Sequence, residues 1–154
     1  MAPRREPKLV PVKAGALTLS HRPKRKDVAR LRELGITHVV TLLADREGAK
    51  EIGEAVRNAG LIWIWCPLVN GQPPDARVTA TIRPVLADLA KLVDDGAAIF
   101  IHCSAGIHRT GMFGYALLRH LGLDRAAARS KLTELRAVTG EGVGEDRLAW
   151  GDAL

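Results

Sequence analysis

Short apolar runs alternate with amphipathic stretches along this chain, and each change of period marks an element. Ala16-Leu17-Thr18-Leu19 reads as a first strand, followed by the loop Arg22-Pro23-Lys24-Arg25. Asp27 stands where it can cap a helix through Leu34, with Val28, Leu31 and Leu34 facing inward and Gly35 ending it. The β-branched run Ile36-Thr37-His38-Val39-Val40-Thr41-Leu42-Leu43 predicts a strand. Helical spacing returns over Glu47 to Ala59 (Ile52, Ala55, Val56, Ala59) and stops at Gly60. Leu61-Ile62-Trp63-Ile64-Trp65-Cys66 is apolar on both faces, the pattern of a strand covered by helices on each side.

A loop, Pro67 to Pro74, leads to Asp75, placed as the N-cap of a long helix from Ala76 to Val93. Val78, Ile82, Val85, Leu86, Leu89 and Leu92 define its core side, and Pro84 predicts a kink or a division. The turn Asp94-Asp95-Gly96 precedes the buried-strand pattern Ala97-Ala98-Ile99-Phe100-Ile101. Met112 to Leu121 is helical and closed by Gly122; a short helix, Asp124 to Leu135, and a C-terminal segment, Glu145 to Asp152, follow. Alternating strands and helices imply an α/β fold, a mainly parallel central sheet flanked by helices. A site is then expected beyond the C-terminal ends of the strands, with the loop after Cys66 beside the loop after His102. Residues 1–13 read as a basic, flexible arm and residues 14–154 as a single domain.

Composition narrows the setting. The 154 residues suit one domain with a real core, at 47% hydrophobic and 26% charged. No apolar run approaches a membrane span, and Pro3, Pro7, Pro11 and Lys13 break any signal-peptide pattern. Two cysteines make no disulfide framework, so a cytoplasmic, reducing location is expected. The net charge of +6 is uneven: residues 1–30 carry nine Lys/Arg against Glu6 and Asp27, so the rest of the chain sums to −1. A solvated arm is the preferred reading; contact with nucleic acid is allowed but not favoured, because no aromatic residue interrupts the basic run.

The chemistry concentrates in His102-Cys103-Ser104-Ala105-Gly106-Ile107-His108-Arg109-Thr110-Gly111, where a strand turns through a tight loop into a helix. Backbone N–H groups at a helix N-terminus point into such a loop, and the helix dipole adds partial positive charge. Arg109 offers a permanently charged planar fork for two phosphate oxygens, and the same field favours the thiolate of Cys103. An anion would therefore be held against a nucleophile, with donors around the equatorial oxygens, which is what phosphoryl transfer requires.

HCSAGIHRTG resembles the HC-x5-R-[ST]-G signature of the cysteine-dependent tyrosine and dual-specificity phosphatases. It differs from the common HCSAGIGRTG form only at His108. The succession LRELGITHVVTLL is also similar to the opening of dual-specificity-type phosphatases. The resemblance implies Cys103 as the nucleophile, forming a phosphocysteine that water hydrolyses. Arg109 is then the phosphate clamp, and Thr110 stabilises the departing thiolate. Ser104, Ala105, Gly106, Ile107 and His108 line the substrate mainly through backbone N–H groups, with His108 at the rim. His102 is expected to bond the loop backbone rather than act as a base. No metal or other cofactor is implied.

The family's acid is an aspartate in loops of the form P-[IL]-x-D-x-x-x-P, and here that position falls on Asn70, which has no carboxyl proton to donate. Asp75, 28 residues before Cys103, is either the acid or only a helix cap; Asp45 and Glu47 are outside candidates. Cys66 reads as a core cysteine, with a protective disulfide to Cys103 as the alternative. The expected activity is hydrolysis of phosphotyrosine or related protein phosphomonoesters. An RNA 5′-triphosphatase, a soluble polyphosphate or inositol-phosphate phosphatase, and a non-catalytic phosphate-binding module remain as alternatives. The sequence sets no oligomeric state.

Overall fold

The computed structural model describes residues 7–69 and 72–154. Five strands form one sheet: β1 (Val10–Val12), β2 (Gly15–Ser20), β3 (His38–Thr41), β4 (Ile62–Trp65) and β5 (Ala98–His102), in the spatial order β1-β2-β5-β3-β4. β1 runs antiparallel to β2, and every other pairing is parallel. β5 lies at the centre with all five residues buried, as its unbroken apolar run requires. The register sets Ser20 on one side of His102 and Thr41 on the other, so three strand ends converge where Cys103 begins the loop.

The helices are α1 (Arg25–Glu33), α2 (Ala49–Asn58), α3 (Ala76–Asp94), α4 (His108–His120), α5 (Arg125–Leu135), α6 (Ala137–Gly142) and α7 (Glu145–Asp152). α1 and α2 pack together, with α2 against β3 and β4. The others gather around α4, which packs on β2 and β5 and buries ten of its thirteen residues. Among the described residues, no helix is long and apolar enough to cross a membrane.

The expected α/β architecture is present, and local departures have identifiable causes. Part of the segment read as a flexible arm is sheet: Val10 and Val12 are 2% and 4% exposed, and Thr18 donates its hydroxyl to the Lys8 carbonyl. Three residues around a proline are too few to show a strand period. α1 begins at Arg25 rather than after Asp27, because the Lys24 carbonyl already accepts from the Asp27 and Val28 N–H groups.

β4, read as covered on both faces, is the sheet's edge, and Ile62 is 58% exposed. Its indoles account for the apolar run: Trp63 and Trp65 stack at 5.6 Å and donate to Thr41 Oγ1 of β3 and to the Leu43 carbonyl just beyond it. α3 continues undivided through Pro84, where the exposed Ala80 carbonyl can turn to water. Thr79 is buried in α3 where Val78 was expected, leaving Val78 39% exposed.

If β1 belongs to the folded unit, Val10→Asp buries an unpaired carboxylate and costs about 3 kcal/mol or more. Urea unfolding should show a clearly lower midpoint, whereas a substitution in a detached arm would leave it unchanged.

Candidate active site

Cys103 follows the last residue of β5 and is 3% exposed at the base of the loop. Its Sγ accepts the Gly106 N–H at 3.2 Å, so the backbone already solvates the sulfur. Gly106 has φ +74°, and a Cβ there would meet the Ser20 carbonyl oxygen at 2.4 Å. Only glycine meets both conditions. Ser104 and Ala105 face solvent, Ile107 is half-buried, and His108 is the exposed first residue of α4. The N–H groups of His108, Arg109 and Thr110 belong to the first turn of α4, where no intrahelical carbonyl precedes them.

The Arg109 side chain is only 3% exposed, and Glu47 stands against it. Nη1 donates to Glu47 Oε1 at 2.8 Å and to the Leu68 carbonyl at 3.2 Å, while Nη2 donates to Glu47 Oε2 at 3.0 Å. A guanidinium has five N–H bonds, so one on Nη2 and that on Nε remain. Nε is buried and finds no partner among the described residues. The two remaining donors lie on the Nε/Nη2 edge, the spacing of two oxygens on one phosphate. Thr110 Oγ1 is likewise buried without a partner among the described residues.

Glu47 sits in a single 3₁₀ turn, Asp45–Glu47, just after β3. Its hydrogen bonds to Arg109 chiefly hold its carboxyl down at about 2, helped by the Ala44 N–H and the charges of Arg109 and Arg22. It is therefore ionised through the neutral range and keeps no proton to donate. That excludes it as the acid and makes it the counter-ion that orients the clamp. Asp45 pairs instead with Lys50 at 3.2 Å.

His102 is fully buried, and burial brings its pKa down to about 4. The neutral ring has one N–H. The Cys103 carbonyl lies 3.1 Å from Nδ1 and can only accept, so Nδ1 carries the proton. Nε2 then accepts the Thr41 hydroxyl at 2.8 Å, and Thr41 Oγ1 accepts the Trp63 indole N–H at 2.8 Å. Every proton in this chain from β4 to the loop is assigned by a group with only one role.

The loop residues and Arg109 come together as the sequence implied; of the acid candidates Glu47 joins them as the partner of Arg109, while Asp45 and Asp75 are bonded elsewhere. Asp75 takes the cap geometry: its Oδ1 accepts the Val78 N–H at 2.9 Å at the start of α3. Asn70 lies outside the described residues. Cys66 and Cys103 are both free thiols, and burial pushes the Cys66 thiol up to about 11. Sequence reading missed the groups behind the loop. The Arg22 N–H donates to the Ser104 carbonyl at 2.9 Å, and its guanidinium donates to the Glu47 carbonyl. Arg136 Nη1 lies 3.1 Å from the Ala105 carbonyl and 2.8 Å from that of Gly106, and Thr139 Oγ1 donates to the latter at 2.5 Å. No local pattern marks these residues, which meet the loop only through the tertiary fold.

Glu47→Gln removes the anion beside a buried cation and should cost about 2 kcal/mol at pH 7, less than a fully buried pair because Glu47 keeps some water. A carboxyl held near 2 when folded and near 4.5 when unfolded stabilises fully above 4.5 and loses that contribution as pH falls through 2. Urea unfolding of both proteins from pH 6 to pH 2 should show the gap between them closing as the acid end is reached.

Comparison with known proteins agrees with this fold. No curated protein sequence matches the chain. Among solved structures, kinase associated phosphatase (KAP), with its catalytic-site cysteine replaced by serine, superposes with a TM-score of 0.75 at 19% identity, over 96% of this chain and 92% of that one. Tk-PTP in its active form gives 0.74 at 21% identity, over 91% of each chain. TpbA of P. aeruginosa, in complex with pTyr, gives 0.59 at 24% identity, over 92% of this chain and 78% of the other. At such identities these likenesses establish the fold. The family description "PTP-SAK: Swiss Army Knife protein, DSP-PTPase phosphatase domain" matches residues 7–143, from the segment leading into β1 through the residue after α6. By that match, which takes in the sheet and the whole loop from Cys103 to Arg109, the chain belongs to the Swiss Army Knife family of DSP-PTPase phosphatase domains.

Proposed function

We propose that this phosphatase domain hydrolyses phosphotyrosine or related aryl phosphomonoesters of proteins through a phosphocysteine intermediate. The observation that carries the reading is the pair of donors left on the Nε/Nη2 edge of a buried, Glu47-held Arg109, beside a sulfur solvated by the Gly106 N–H. Phosphate oxygens take those donors and the loop N–H groups. Cys103 Sγ attacks phosphorus, the S–P bond forms, and the P–O bond to the leaving group breaks with its electron pair on oxygen. Water then attacks the phosphocysteine, releasing inorganic phosphate and the thiolate, with the Thr110 hydroxyl donating to the sulfur as it leaves.

The leaving group follows from the missing acid. Glu47 is bound to Arg109, Asp75 caps the start of α3 and Asp45 pairs with Lys50 at the surface, which supports a reading in which none of the three protonates the leaving oxygen. A phenolate departs without a proton far more readily than an alkoxide, which favours tyrosine over serine or threonine phosphate. The same reasoning favours a phosphoanhydride, such as an RNA 5′ end, as the second reading. Competition by RNA with a steep salt dependence would mark it.

Side-by-side hydrolysis of para-nitrophenyl phosphate by wild type and Cys103→Ser should show turnover only in the wild type, with phosphate binding kept in both. Turnover in the serine variant would end the phosphocysteine proposal. Asp75→Asn, which keeps a capping side chain, should leave the alkaline limb of the pH–rate profile unchanged. A flattened limb would instead make Asp75 the acid.

A further inference from the structure

Each of four successive carbonyls in the loop has a donor behind it. The Cys103 carbonyl faces His102 Nδ1 at 3.1 Å, and the Ser104 carbonyl accepts the Arg22 N–H at 2.9 Å. Arg136 Nη1 has two hydrogens and reaches the Ala105 and Gly106 carbonyls at 3.1 and 2.8 Å; the Thr139 hydroxyl adds a second donor to Gly106. In a trans peptide, the C=O and the following N–H point in opposite directions. Holding these four carbonyls outward therefore turns the N–H groups of Ser104, Ala105, Gly106 and Ile107 toward the loop's interior. The Gly106 N–H on Cys103 Sγ is the visible case.

The donors from Arg136 and Thr139 act where the loop is least stiff. The peptides on either side of Gly106 are the two they hold, and glycine is the residue at which a peptide plane turns over most cheaply. A loop with those two planes reversed would present carbonyl oxygens to an incoming phosphate. Neither His102 nor the Arg22 backbone covers these planes, since their bonds go to Cys103 and Ser104.

The fold places the two side chains together by interrupting a helix. α5 ends at Leu135, and Arg136 is extended (φ −162°, ψ 110°) before α6 starts at Ala137. Arg136 and Thr139 then meet, Nη1 to Oγ1, at 3.2 Å, with Thr139 fully buried. Gly140 keeps α6 close to α5: a Cβ there would lie 2.3 Å from Thr133 Oγ1.

We propose that Arg136 and Thr139 are positioning residues, which hold the Ala105 and Gly106 carbonyls outward and so keep the loop's N–H groups aimed at the phosphate and the Cys103 sulfur. The proposal rests on the reading of the loop as a phosphate site, and its test needs no turnover. Thr139→Val removes the hydroxyl at nearly constant shape, and Thr139→Ser returns it; Arg136→Met and Arg136→Lys form the parallel pair. Two readouts are tungstate affinity by calorimetry and the rate of Cys103 alkylation by iodoacetamide at pH 7, followed by peptide mass, with circular dichroism to confirm the fold.

Losing the aim of one or two N–H groups on an anion should weaken tungstate binding about tenfold and slow alkylation several-fold in Thr139→Val and Arg136→Met. Thr139→Ser and Arg136→Lys should recover most of both. Folded Thr139→Val with wild-type tungstate affinity and alkylation rate overturns the proposal, and it decides the matter alone if Arg136→Met does not fold. Failure of the phosphatase reading would appear separately, as a wild type that binds tungstate but turns over no phosphate ester.

Discussion

A guanidinium with almost none of its side chain in water needs an anion beside it, and much of the site's architecture follows from meeting that need at Arg109. The anion is Glu47, held on a 3₁₀ turn after β3 by the Ala44 N–H and its bidentate pair with Arg109. The pair fixes the plane of the fork, and the Leu68 carbonyl takes a third hydrogen, so the free edge has one direction left to face. β3, the loop after β4 and the start of α4 are thereby tied to a single cation. The protein thus supplies the counter-charge to this buried cation from its own chain.

The loop between β5 and α4 is one continuous stretch, while the groups that hold that stretch in shape come from across the chain. His102 leans on Thr41 and, through it, on Trp63; Ser104 leans on the backbone of Arg22; Ala105 and Gly106 lean on Arg136 and Thr139. This division suits a loop whose task is to present N–H groups. Inward donors leave outward acceptors, and a buried acceptor without a partner is costly. The surrounding elements supply the partners, so the inward geometry is also the one in which the loop's own carbonyls are satisfied.

That division also explains what could be read from the sequence. The signature runs in order along ten residues, so the tight loop with its glycine was legible, as were the core strand before it and the helix after. Asp75 was legible as a cap, since an N-cap is a local bond between near neighbours. Edge and centre were not, because an apolar run looks the same in β4 as in β5 until the strand order is known. β1 was too short to show a period, and α6 too short to show a face. Glu47 showed itself as a carboxylate near the site but not in its role, which depends on a partner 62 residues away.

The stacked indoles of β4 have an optical consequence. The chain contains three tryptophans, and Trp150 bonds to Thr79 between α7 and α3, away from β4. The other two lie against β3 and the residues just after it, and Trp63 is linked through Thr41 to His102, the residue before Cys103. Two of the three indoles therefore lie on the β3–β4 side of the molecule. Replacing Trp150 would leave both remaining tryptophans on that wall, so that emission excited at wavelengths tyrosine does not absorb would come from it alone, without any dye attached.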